Sequence, residues 1–168
     1  MKRTEALEVF KVEMKKRGFK KYSNTWYKKL DDITQILWVQ HSQFDTNNYQ
    51  VYVTVAMNKH MTRSYPVFQE WLFYISIPTY DYENDGLGTT SEERHENIEK
   101  LRQQLSREEF EEMFTELQQP DPYKAIKIAM PYFDQMSTVE KLIDFIRTSS
   151  APEVSLRRDF LLEKLRKD

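Results

Sequence analysis

The chain has 168 residues, enough for one domain that buries roughly 70% of its unfolded surface, and it contains no cysteine. That excludes disulfides, thiolate metal sites and a thiol nucleophile. Residues 1–16 hold no uninterrupted apolar stretch and no run reaches the ~20 apolar residues of a membrane span, so a soluble cytoplasmic protein without leader or membrane contact is expected. The formal net charge is only -2, but it is unevenly spread. Residues 1–30 carry ten Lys and Arg against three Glu, whereas residues 81–122 carry thirteen Asp and Glu against four Lys and Arg. Such a split can steer a charged partner, or simply decorate solvated helix faces.

Residues 3–16 read as a helix. Leu7, Phe10 and Met14 recur at spacings of three and four, with Ala6 and Val9 widening the stripe. Lys15, Lys16 and Arg17 suit the negative end of its dipole, and Gly18 is the expected left-handed stop. Three antiparallel strands follow: a basic, aromatic strand over 24–30, a turn at Asp31-Asp32, an apolar strand over 33–42, a polar loop, and an alternating strand over 49–57. In the last, Tyr49, Val51, Val53, Val55 and Met57 take one face. In the middle strand Leu37 and Val39 point one way and Ile36 and Trp38 the other, which suits a central strand at least partly covered on both faces. A fourth strand is read over 71–77, with Trp71, Phe73, Ile75 and Ile77 sharing a face and Pro78 ending it. Residues 70–75 also fit a buried helical turn, because a short apolar run does not separate the two.

Residues 79–90 hold Asp-Gly and a second Gly and read as an exposed loop. A helix should start at Ser91 with Glu92 and Glu93 in its first turn. Ser106 and Glu109 form a capping box for a helix through Phe110, Met113, Phe114 and Leu117, which Pro120 and Pro122 break. Pro122 fits the first turn of the next helix, through Ile126 and Met130. Ser137 and Glu140 read as a second capping box before Val139, Leu142, Ile143 and Ile146, and Pro152 as the start of a last helix carrying Leu156, Phe160, Leu161 and Leu165. The order predicts a single α+β domain: an N-terminal helix, an antiparallel meander of about four strands, then several helices packed on one sheet face.

Four short signatures carry a resemblance: Gly18-Phe19-Lys20-Lys21 leaving the first helix, Trp26-Tyr27-Lys28-Lys29 on the next strand, the Asp31-Asp32 turn, and Gln40-His41-Ser42 at a strand end. With these the segment 18–57 resembles the N-terminal core of an uncharacterised bacterial domain-of-unknown-function family, and MPYFDQMSTVEKLIDFI resembles its C-terminal part. The resemblance implies a compact α+β domain and no particular substrate.

No residue pattern points to a cofactor, a metal or a catalytic centre. His41 and Ser42 are strand neighbours and face opposite ways. His41, His60 and His95 lack the local spacing of a metal site, and Gly86-Leu87-Gly88 lacks the rest of a dinucleotide fingerprint. Asp81, Glu83 and Asp85 resemble a calcium loop without its closing glutamate. Two surfaces remain. The acidic stretch, with Glu92, Glu93 and Glu96 and with Tyr80 and Tyr82 as aromatic anchors, suits docking to another protein. The basic-aromatic stretch, with Lys20, Lys21, Trp26 and Lys28, suits nucleic acid, although a sequence pI of about 6.0 is far from that of a dedicated nucleic-acid domain. The expected function is therefore a non-catalytic protein-interaction module, an immunity or antitoxin role being one form of it. Nucleic-acid binding and an enzyme without a recognisable motif are the alternatives.

Overall fold

Helix α1 (Arg3–Lys16) forms where the apolar stripe predicts it, and Ala6, Phe10 and Met14 are fully buried. It stops in a Schellman motif. The Phe19 amide donates to the Met14 carbonyl and the Gly18 amide to the Lys15 carbonyl, both at 3.0 Å, with Gly18 at φ 82°. A Cβ at Gly18 would meet Lys28 Cε at 3.7 Å, an ordinary contact, so the backbone and not the space demands glycine. Gly18→Ala is expected to lower stability by about 1–2 kcal/mol through the left-handed conformation. A urea midpoint that falls at constant slope checks this, and an unchanged midpoint would show that the turn relaxes elsewhere.

The computed structural model describes residues 3–41, 49–79, 86–88, 90–117 and 121–166. Strands β1 (Lys20–Tyr22), β2 (Thr25–Lys29), β3 (Ile33–His41), β4 (Tyr49–Met57) and β5 (Trp71–Ile77) form one antiparallel sheet in chain order. The register row Trp26, Leu37, Val53 and Ile75 points to the helices and into the core. Gln35 is a polar exception on this face. Its Nε2 donates to the Phe133 carbonyl at 2.6 Å, satisfying a helix-end acceptor inside the core.

A bulge corrects the expected stripe of β5. Thr54 pairs with Tyr74 but Ala56 pairs with Trp71, so Leu72 and Phe73 share the space opposite Val55. The extra residue turns Trp71 onto the opposite face from Phe73, Ile75 and Ile77. Residues 70–75 are not a helical turn either: a 3-10 turn, Phe68–Glu70, ends where the strand begins.

The remaining helices are α2 (Ser91–Gln104), α3 (Arg107–Leu117), α4 (Pro122–Gln135), α5 (Val139–Thr148), α6 (Pro152–Ser155) and α7 (Arg158–Arg166). Helices α1 and α4–α7 supply the layer over the core face; Phe133 packs its ring on Phe19 at 5.2 Å and Phe145 on Phe73 at 6.1 Å. The Ser106–Glu109 capping box is present in both directions. The second expected box is not. Thr138, not Ser137, caps α5 by accepting from the Lys141 amide, while Ser137 donates back to the Asp134 carbonyl. The expected last helix is two pieces separated at Leu156 and Arg157, and the Arg158 guanidinium that opens the second donates to the Ile146 and Ser149 carbonyls at 3.0 and 2.8 Å. Leu156 at the break is 86% exposed and Phe160 is exposed too, whereas Leu161 is buried. Within 79–90, expected to be exposed, Thr79 and Leu87 are buried.

Candidate functional site

Strand alternation puts the core-facing residues on one side of the sheet and a set of rings on the other. One register row of this outer face runs Tyr22, Thr25, Trp38, Tyr52, Ser76; the next runs Lys20, Tyr27, Ile36, Thr54, Tyr74. The bulge adds Trp71 to the same side, beside Ala56. Trp38 stacks on Tyr52 at 5.1 Å and meets Trp71 edge-on at 5.4 Å; Tyr52 meets Tyr74 at 5.5 Å. These are the separations at which aromatic pairs attract beyond simple burial.

Residues 58–70 cross this face as a strap. At its start the Asn58 side chain donates to the Leu30 and Asp31 carbonyls at 2.7 and 2.9 Å and accepts from the buried Thr34 hydroxyl at 2.6 Å. At its far end Glu70 accepts from the Thr62 amide and hydroxyl and the Val67 amide. Partial burial raises the Glu70 pKa, but these donors and nearby Arg63 outweigh it and hold the carboxyl below its ordinary value. Between these anchors Tyr65 stacks on Tyr22 at 3.8 Å, and Phe68 packs on Trp71 at 5.0 Å and Trp38 at 6.0 Å. On this face Ile36 and Thr54 are fully buried, yet Phe68 remains 55% exposed, Tyr22 47% and Tyr74 42%. Burial, then Tyr74 and Glu153, raises the Tyr52 phenol pKa.

Cations border the rings. Lys20 and Lys29 are exposed on the outer face of β1 and β2, and Arg63 donates to the Tyr65 hydroxyl at 3.0 Å with its guanidinium 5.7 Å from that ring. The Tyr22 hydroxyl and then Arg63 lower the Tyr65 pKa.

A second surface is acidic. The segment 80–120 leaves the sheet after Thr79 and returns at Asp121, whose amide donates to the Thr79 carbonyl at 2.8 Å. Within it α2 and α3 pack on each other, and no residue of α2 is buried. Glu92 and Glu96 are exposed there, Glu96 lies 3.9 Å from Lys100, and Glu93 completes a capping box with Thr90.

The basic-aromatic set expected from the sequence is not one surface. Trp26 is 1% exposed, with its ring on Phe10 at 5.6 Å, and a ring buried in the core has no face for a base. Lys20 lies on the outer face, while Lys21 and Lys28 point the other way, their Nζ atoms 5.3 Å from Trp26 and 6.0 Å from Phe19. Tyr80, Tyr82, the acidic run 81–85 and Ser42 lie outside the described residues. Among the described residues no three His, Cys, Asp or Glu gather as a metal site, and no helix is long and apolar enough to cross a membrane. A cleft of about 400 Å³ between α4 and α5 is lined by Asp134, Gln135, Lys141, Asp144, Phe145 and Thr148, with no histidine. Sequence reasoning missed Trp38, Tyr52, Phe68 and Tyr74 as residues of this face. Their signal was strand parity: Trp38, Tyr52 and Tyr74 are the alternate positions to the apolar stripe.

The chain matches no curated protein and no solved structure. Residues 10–135, from within α1 through the sheet, the strap and the acidic hairpin to the end of α4, match a family described as Domain of unknown function (DUF4304). Its α+β core and this match over three quarters of its length place the chain in the DUF4304 family, whose function is unknown.

Proposed function

We propose that this chain is a non-catalytic, cytoplasmic binding module and that the outer face of its sheet is the surface it binds with. The observation that carries this is the ring cluster itself. Trp38, Tyr52, Phe68, Trp71 and Tyr74 touch one another on the sheet face opposite the core, and Phe68 and Tyr74 are exposed. Contiguous exposed aromatic surface with a polar rim marks binding sites, and tryptophan, tyrosine and arginine dominate binding energies where they are found. Tyr74→Ala and Phe68→Ala are each expected to cut recovery of bound partners from the source organism's lysate at least tenfold, in line with ~2 kcal/mol per anchor. Capture with and without nuclease, read by mass spectrometry, measures this. Full recovery by both variants, with wild-type circular dichroism, would remove the outer face from consideration.

A second reading, a basic protein docked on the acidic hairpin, is favoured by α2, which buries none of its residues and belongs to a segment whose two ends meet where the Asp121 amide donates to the Thr79 carbonyl. A helix that buries none of its residues leaves its acidic side chains open to a partner. The Glu92→Lys, Glu96→Lys double variant is expected to lose a nuclease-resistant protein partner and to keep the wild-type melting temperature within about a degree or two, as surface changes of ~0.5 kcal/mol allow. Retention of the partner by this variant would sink the second reading.

A further inference from the structure

We propose that the ligand of the outer face is single-stranded nucleic acid. The inference rests on the outer face being the binding surface, and it adds the chemistry of the occupant.

Three observations favour this polymer over another. The first is the distribution of charge. Residues 80–120 hold twelve of the 27 Asp and Glu but only four of the 25 Lys and Arg. The acidity that makes the whole chain resemble a poor nucleic-acid binder is therefore confined to the hairpin, and residues 1–79 carry twelve Lys and Arg against seven Asp and Glu. The second is the placement of cations with rings. Lys20, Lys29 and Arg63 are exposed and share the outer face with Tyr22 and Tyr65, and the strap's own carboxylate, Glu70, is engaged by Thr62 and Val67. Phosphates are held by such cations, without sequence preference. The third is the layout of the rings. They span β1 to β5, roughly 19 Å at the usual strand spacing. Exposed rings on an antiparallel sheet supply stacking platforms for successive unpaired bases, and every base has a face to offer. Bases in a duplex are already stacked and do not reach such a surface, so the ligand is a single strand.

The test uses the full chain with fluorescein-labelled oligo-dT and oligo-U of about 12 nucleotides, within the range that one such module covers. Anisotropy is read at ~50 and ~200 mM salt, with an unlabelled DNA duplex as competitor. Both single strands are expected to bind, to weaken steeply with salt and to resist competition by the duplex. Tyr74→Ala and Phe68→Ala should each weaken binding about tenfold. Lys20→Ala and Lys29→Ala should each flatten the logarithmic salt slope by about 0.7. Phe160→Ala, which removes an exposed ring on α7, should change nothing. Absence of binding at ~50 mM salt, equal binding of the duplex, or binding that follows the lysines and ignores both rings would overturn the proposal. If the ring variants lose a nuclease-resistant protein while no oligonucleotide binds, the outer face stands as the binding surface and the nucleic acid falls. If they change neither, both fall.

Discussion

Trp26→Ala should lower folding stability by about 3–5 kcal/mol, a large share of the ~5–15 kcal/mol that holds a domain together. The side chain is fully enclosed between β3 and α1, next to Leu37 in the register and against the Phe10 ring. Its removal leaves a cavity in the part of the core where the sheet meets the first helix. Trp26→Phe should be much milder. The Trp26 indole N–H is buried with no acceptor among the described residues, so phenylalanine removes an unsatisfied donor along with some volume. Urea unfolding of both variants checks this. A Trp26→Ala protein with a wild-type midpoint would mean that the ring is not the core residue that its burial indicates.

Asn58→Ala should be the second most damaging change, at about 2–4 kcal/mol. It removes three side-chain hydrogen bonds between the strap and the β2–β3 turn and leaves the fully buried Thr34 hydroxyl unpaired. The loss should be smaller than additive in the Asn58→Ala, Thr34→Val double variant, because valine leaves no orphaned hydroxyl behind. Near-ultraviolet circular dichroism adds a local readout: Trp38 and Trp71 pack on Phe68 of the strap, so loosening its start should reduce their fixed-environment signal. Additive losses, or an unchanged aromatic spectrum, would show that Asn58 does not hold the strap on the face.

What was legible in the sequence was whatever local periodicity encodes. The stripe of Leu7, Phe10 and Met14, the alternation of β4 and the capping box at Ser106 each need only residues within one element. What was hidden depends on partners elsewhere in the chain. Lys20–Tyr22 has no apolar alternation and all three residues are exposed; it is a strand because β2 lies beside it. Trp71 changes face through a bulge that pairing with β4 creates, and no window of β5 alone reveals it. Trp26 was grouped with the lysines because it is their neighbour in sequence, whereas strand parity sends it inward and sends Lys29 out. The ring face was readable in principle as the complement of the apolar stripe, but Tyr65 and Phe68 join it only by the path of the strap.

The chain order of the sheet has a consequence for folding during synthesis. Every strand pairs with its immediate neighbour in sequence, so the whole meander can form from successive hairpins, each a process of microseconds, without closing a long loop. The helical layer that seals its apolar side arrives later. From Ile77 at the end of β5 to Gln135 at the end of α4 there are 58 residues, and at about 5–20 residues per second their synthesis takes roughly 3–12 s. For that interval the nascent sheet has α1 for cover and carries Val53, Phe73 and Ile75 toward open water. The acidic hairpin is made within this same window, so the basic sheet and its acidic appendage are both complete before α4 closes the apolar side.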